Sequence, residues 1–201
     1  MKGLFMLIVF LIGYFGSAQE SFDLQTVLEY QIELNEHYSN PQKSPLKKED
    51  LEKFTGLPFF EPNEKFFIKA RFVRTPNEKP FEMPTTTERK PLYVKYGEIH
   101  FTFEEKECSL DVFQNVEFSK SPLYKNSLFL PFTDYTSGVS SYGGGRYLDI
   151  NIPEGDVIYL DFNKAYNPYC AYNYKYSCPI PPEQNDLPIE IKAGVKYEAR
   201  N

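Results

Sequence analysis

The chain has no tryptophan, two histidines and three cysteines among 201 residues. Each scarcity removes a class of chemistry. Structural zinc needs four Cys or His ligands. The polar-rich C-terminal region offers only Cys170 and Cys178, so no metal and no cofactor is expected. A Cys–His nucleophile pair is equally short of partners. His37 falls on an N-terminal helix, and His100 lies in a strand opposite the Ile99/Phe101/Phe103 face. The lack of tryptophan weakens stacking on sugars. Basic runs are missing too: 22 Lys and Arg stand against 28 Asp and Glu, a formal net charge of −6. That balance argues against nucleic acid and anionic membrane surfaces as partners. The glycine run Gly143-Gly144-Gly145 is followed by no Lys-Ser/Thr, so it is no P-loop. Its spacing also fails the dinucleotide fingerprint.

What is present begins with a leader. Lys2 supplies a positive start, Gly3 to Phe15 is apolar, and Gly16-Ser17-Ala18 are small. That grammar predicts a signal peptide over 1–18, cleaved to leave Gln19 first. The run falls short of the roughly 20 apolar residues of a membrane span, so no stable span is expected after cleavage. The predicted location is periplasmic or secreted. In an oxidising compartment Cys170 and Cys178 are a disulfide candidate. Cys108, in a predicted strand, reads as a small buried hydrophobe.

A helical segment is expected over 19–56 and a β-domain over 57–201. From Ser21 to Tyr38 the period is helical, with Leu24, Val27, Leu28 and Ile32 on one face and Ser21 as N-cap. A second short helix is placed between Ser44-Pro45 and Gly56. From Lys65 the period becomes two. Residues 98–113 read as a β-hairpin, with Gly97 as a bulge. Further strands are expected at Leu128–Leu130, Tyr147–Ile152, Val157–Phe162 and Leu187–Lys192. Short strands without intervening helices predict a mainly β fold, an antiparallel sandwich or partly closed barrel with helices packed outside.

The runs LPFTDYTSG (130–138), YGGGRYLD (142–149), LDFNKAYNPYCAY (160–172) and CPIPPEQNDLP (178–188) resemble domain-of-unknown-function family 1684. Weaker similarity lies at MPTTTERK (83–90) and YGEIHFTF (96–103). The hairpin departs from the expected glycine turn, having Glu104-Glu105 instead. The resemblance implies a fold and no established activity.

Leu128 to Pro182 concentrates aromatics, glycines, amides and carboxylates, and the candidate site is placed there. Loops holding Asp134–Ser137, Gly143–Arg146 and Asn163–Cys170 are expected to converge on one hollow. Asp134, Thr136, Tyr142, Arg146, Asp161, Asn163, Tyr166 and Asn167 are its candidate ligand-binding residues. The glycine run with Arg146 would receive an anion; otherwise it is a turn, with Arg146 paired to Asp149 or Asp134. The expected function is binding of a small polar or anionic ligand or a cell-envelope component. The alternatives are a metal-independent hydrolase or lyase using Asp134 or Asp161 with Tyr142 or Tyr166, and a structural protein without ligand.

Overall fold

The computed structural model describes residues 21–197; the expected leader lies outside them. The elements are α1 (Leu24–Ser39), α2 (Lys48–Leu51), β1 (Phe67–Arg74), β2 (Phe81–Glu82), β3 (Leu92–Phe103), β4 (Lys106–Asn115), β5 (Ser127–Asp134), β6 (Arg146–Asn151), β7 (Val157–Asp161) and β8 (Asp186–Leu187). The strands form one curled half-barrel sheet. Its path is β6-β5-β4-β3-β1-β7, with β2 antiparallel on β3 and β8 parallel to β5. The fold is thus mainly β, as the period-two pattern predicts.

Alternation fills the concave side. Ile68, Ala70 and Phe72 of β1, Ile99, Phe101 and Phe103 of β3, and Leu128, Leu130 and Phe132 of β5 form one buried cluster. Cys108 joins it as a small apolar group. Burying a residue of Phe or Leu size contributes about 1.5–3 kcal/mol, so this face fixes the register of every strand. Gly97 marks the expected bulge: the β3–β4 register shifts between Lys95 and Gly97. A Cβ there would lie 2.7 Å from the Val73 carbonyl oxygen. At the hairpin tip Glu104 and Glu105 adopt φ of 46° and 67°. This is the left-handed geometry that a two-residue hairpin turn demands and that glycine adopts most readily.

The ladder is interrupted where Pro131 stands opposite Asp111 and has no N–H to give. The buried Asn185 side chain takes its place. Its Oδ1 accepts from Asp111 N at 2.8 Å, and its Nδ2 donates to Asp111 O at 2.8 Å and to Pro131 O at 2.6 Å.

Three expectations are corrected. The N-cap of α1 is Asp23, whose carboxylate accepts from Gln25 N at 2.9 Å, and Ser21 lies outside the helix. The helix has the predicted period but a different phase. Leu24, Leu28 and Ile32 are exposed, and the inward side carries Val27, Leu34 and Tyr38. The tyrosines of the C-terminal loops set that phase: Tyr38 packs against Tyr169 and Tyr172 at 6.0 and 5.2 Å between ring centroids. The expected strand at Leu187–Lys192 is β8 followed by an extended strap. Its Ile189, Ile191, Ala193 and Val195 are all buried. Side chains, not a ladder, satisfy the strap's backbone around Ile191.

Candidate functional site

Strands β6 and β7 end the sheet path, yet the short connection 152–156 joins them. A sheet whose outermost strands are sequence neighbours has curled nearly shut, leaving a seam. One end of the seam is bridged: Tyr147 and Tyr166 exchange backbone hydrogen bonds of 2.9 and 3.0 Å. Beyond them the strands frame a cavity of about 1060 Å³, with Leu148, Ile150 and Ile158 among its apolar lining and Lys69, Asp149 and Tyr159 among its polar lining. A second cavity of about 890 Å³ shares Tyr30, Asp149 and Tyr166 with the first. Its lining is aromatic, with Tyr93, Phe129, Tyr147, Tyr169 and Tyr176 contributing.

Asp149 sits at the junction. Along β6, Arg146 and Leu148 are buried, whereas Asp149 opens to the cavities and is solvent-accessible. Tyr166 donates its hydroxyl to Asp149 Oδ2 at 2.7 Å. Protein packed around the cavity-facing carboxyl removes part of its water. This desolvation raises its pKa, against the lowering effect of the Tyr166 hydrogen bond. Burial, with Asp149 next to it, pushes the Tyr166 phenol well up.

A raised carboxyl pKa means that the folded chain holds this proton more tightly than the unfolded chain. The associated stability is complete below the ordinary aspartate range and is lost as pH rises through the folded pKa. Asp149→Asn is therefore expected to raise the melting temperature at pH 7. Solvent at the cavity mouth limits the gain to about 1–3 °C. The gain should vanish near pH 4, roughly the ordinary aspartate pKa. Thermal unfolding of both proteins at the two pH values checks this; destabilisation at pH 7 would contradict it.

The other candidate residues fall into separate places. Arg146, Asp134 and Thr136 come together in the interior, where the structure leaves the Arg146 side chain no solvent contact. Arg146 Nη2 donates to Asp134 Oδ2 at 2.8 Å, to Thr136 Oγ1 at 3.3 Å and to Ile191 O at 2.7 Å, and Nη1 donates to Ala193 O. Asp134 Oδ1 accepts from Ile191 N at 3.2 Å, so the pair clamps the C-terminal strap. The glycine run serves a turn: Gly145 has φ +87° and its Cα lies against β5.

Asn163 and Asn167 are buried brackets. Asn163 accepts from Asn63 N at 2.9 Å and donates to Asn63 O at 3.0 Å, while Asp161 Oδ1 accepts from Asn163 Nδ2 at 2.9 Å. Asn167 Nδ2 donates to the Tyr172 hydroxyl at 3.0 Å and to Lys196 O at 3.1 Å. Of the candidates, Asp161 and Tyr166 line the seam cavity. The convergence of all three loops on one hollow is not what the structure has: Arg146 belongs to an interior clamp, and Asn163 to a bracket at the end of β7.

The expected Cys170–Cys178 disulfide is also corrected: both are free thiols. Cys170 N donates to Cys178 Sγ at 3.1 Å. A hydrogen bond from Cys178 lowers the Cys170 pKa to about 7 and raises that of Cys178. Desolvation pushes Tyr142, the neighbouring phenol, up to about 12. Among the described residues, no group of three or more His, Cys, Asp or Glu could hold a metal ion. Nor is any of their helices long and apolar enough to cross a membrane.

Tyr30, Tyr93, Tyr147 and Asp149 are among the cavity residues that sequence reasoning missed. A signal for two of them exists. Once Arg146 and Leu148 are assigned to the core face, period two sends Tyr147 and Asp149 to the opposite face together. Tyr30 carries no such signal, because the apolar pattern of the helix points to a different phase.

The curled antiparallel sheet, its open seam and the helix residue Tyr30 at the junction define a small half-barrel protein with a hollow of ligand size. The chain belongs to the family described as Protein of unknown function (DUF1684), whose profile matches residues 52–196. This agrees with the resemblance carried by the motif runs. Among solved structures, it is similar to an uncharacterized protein of Haloarcula marismortui determined by solution NMR. The two share 31% sequence identity with a TM-score of 0.68, over 86% of this chain and 93% of that one. No curated protein matches it.

Proposed function

We propose that the protein is an exported binding module whose small ligand occupies the seam cavities and is anchored on Asp149. One observation carries this reading. Asp149 stands where the two cavities meet, and among the described residues its Oδ1 has no protein donor. A solvent-facing acceptor between a polar chamber and an aromatic one fits the usual composition of ligand sites, which are mostly apolar with a few placed polar groups. The volumes, about 1060 and 890 Å³, sit near the upper end of the common range for such sites, roughly 300–1,000 Å³. Export rests on the leader grammar of residues 1–18.

The test is a fragment screen on isotope-labelled protein by NMR. Binders are expected to shift backbone amides of 147–151 and 157–161. A diverse set that produces no shifts there, or shifts only elsewhere, would remove the reading. N-terminal sequencing of protein recovered outside the cytoplasm is expected to begin at Gln19, and Met1 would refute export. A metal-independent hydrolase or lyase is a second reading favoured by the same pair. Asp149, with its raised carboxyl pKa, would act as base and the protonated Tyr166 as acid.

A further inference from the structure

The character of the ligand follows from what the tyrosine-lined chamber leaves unused, and this inference rests on the cavity reading above. Three of the chamber's tyrosine hydroxyls are already committed to protein. Tyr147 donates to Pro179 O, Tyr166 donates to Asp149 at 2.7 Å, and Tyr169 pairs with His37 Nε2 at 2.9 Å. What these three offer a ligand is chiefly ring surface.

An aromatic face carries negative charge density and attracts a cation within about 6 Å of its centroid. The one carboxylate at the junction lacks a counterion. Its partner is the neutral Tyr166 phenol, and among the described residues no Lys, Arg or His lies within ion-pair distance of it. A carboxylate that faces the cavities without a cation is an open partner for a ligand that brings the positive charge. The adjoining chamber adds Glu154, Asp156 and Asp161 against Lys69 and Lys164, and Lys164 is already 3.7 Å from Asp161. Two basic groups line the tyrosine chamber. His37 is tied to Tyr169, and Arg89 is solvent-exposed, where water and salt screen it.

We infer that the cavity binds an organic ammonium ligand, its charged head against Asp149 and its carbon substituents against the faces of the surrounding tyrosines. The same volume around a paired carboxylate would carry no such preference.

The probes are tetramethylammonium, choline and benzyltrimethylammonium, with 3,3-dimethylbutan-1-ol as the neutral isostere of choline. Each is titrated into the full chain and into Asp149→Asn, following the amides of 147–151 by NMR. The expected result is saturable shifts with at least one ammonium probe, at least ten-fold weaker binding of the neutral isostere, and at least a ten-fold loss in Asp149→Asn. Equal binding of choline and its isostere would overturn the ammonium inference while leaving cavity binding intact. The ammonium inference also fails, and cavity binding survives, if no ammonium probe binds but other fragments shift these amides. If no compound of any class shifts them, the cavity reading fails, and this inference with it.

Discussion

Arg146→Met is expected to destabilise the protein by about 3–5 kcal/mol, the usual consequence of removing one partner from a buried ion pair. For a chain of this size that is a fall in melting temperature of roughly 6–20 °C. The guanidinium is fully buried, and Asp134 is nearly so. Removing the cation strands the Asp134 carboxylate without its 2.8 Å partner and orphans the carbonyls of Ile191 and Ala193. Desolvation of the cation lowers the Arg146 pKa and the attraction of Asp134 raises it. A guanidinium is not deprotonated in the ordinary pH range, so the effect should persist across the neutral range. Asp134→Leu in the Arg146→Met background should recover part of the loss. The two changes should be non-additive by about 1–3 kcal/mol, as expected for residues in one network. Guanidinium unfolding of the two single variants and the double variant measures this. A single variant within about 1 kcal/mol of the parent, the size of an ordinary substitution, would mean that the clamp does not hold the strap.

This clamp also shows why the fold was more legible than the site. Strand positions followed from period two, because apolar side chains on alternate residues leave few registers that bury them all. Gly97 was readable as a bulge, and the departure from glycine at Glu104-Glu105 was visible in the turn. The residue chemistry around Arg146 was equally visible, but its direction was not. Arginine, aspartate and threonine at the head of a strand make a surface anion site or an interior clamp with the same letters. The choice depends on whether the strap at 189–195 crosses over them, a contact far apart in sequence. The amides misled for a similar reason. Asn163, Asn167 and Asn185 sit beside irregular backbone that has no ladder, and buried carbonyls and N–H groups there must find partners. A cluster of polar side chains at loop ends therefore signals backbone satisfaction as readily as ligand recognition. Asp149 and Tyr166 escape this accounting because the sheet stops at β6 and β7, and period two does not say between which strands a partly closed barrel stays open.

Gly194→Ala tests the strap from the opposite side. The residue has φ +74°, and an added Cβ would lie 2.3 Å from Ala165 O and 2.9 Å from Phe162 O. Both neighbours are backbone, so no side-chain rotation relieves the contact. The crossing is tight because three segments meet there: Phe60 N donates to Gly194 O at 2.9 Å, and Val195 N donates to Ala165 O at 2.9 Å. A left-handed conformation costs a non-glycine residue about 1–2 kcal/mol, and overpacking adds typically about 1–3 kcal/mol. The expected loss is therefore on the order of 2–5 kcal/mol. Gly155→Ala is the control: its Cβ would meet nothing within 4 Å, and a change there should stay within about 0.5 kcal/mol. Because Ile191 O and Ala193 O reach Arg146 from the same strap, displacing Gly194 should also weaken the clamp. Gly194→Ala combined with Arg146→Met is thus expected to be less destabilised than the sum of the two. Full additivity would show that the glycine crossing and the buried ion pair hold the strap independently.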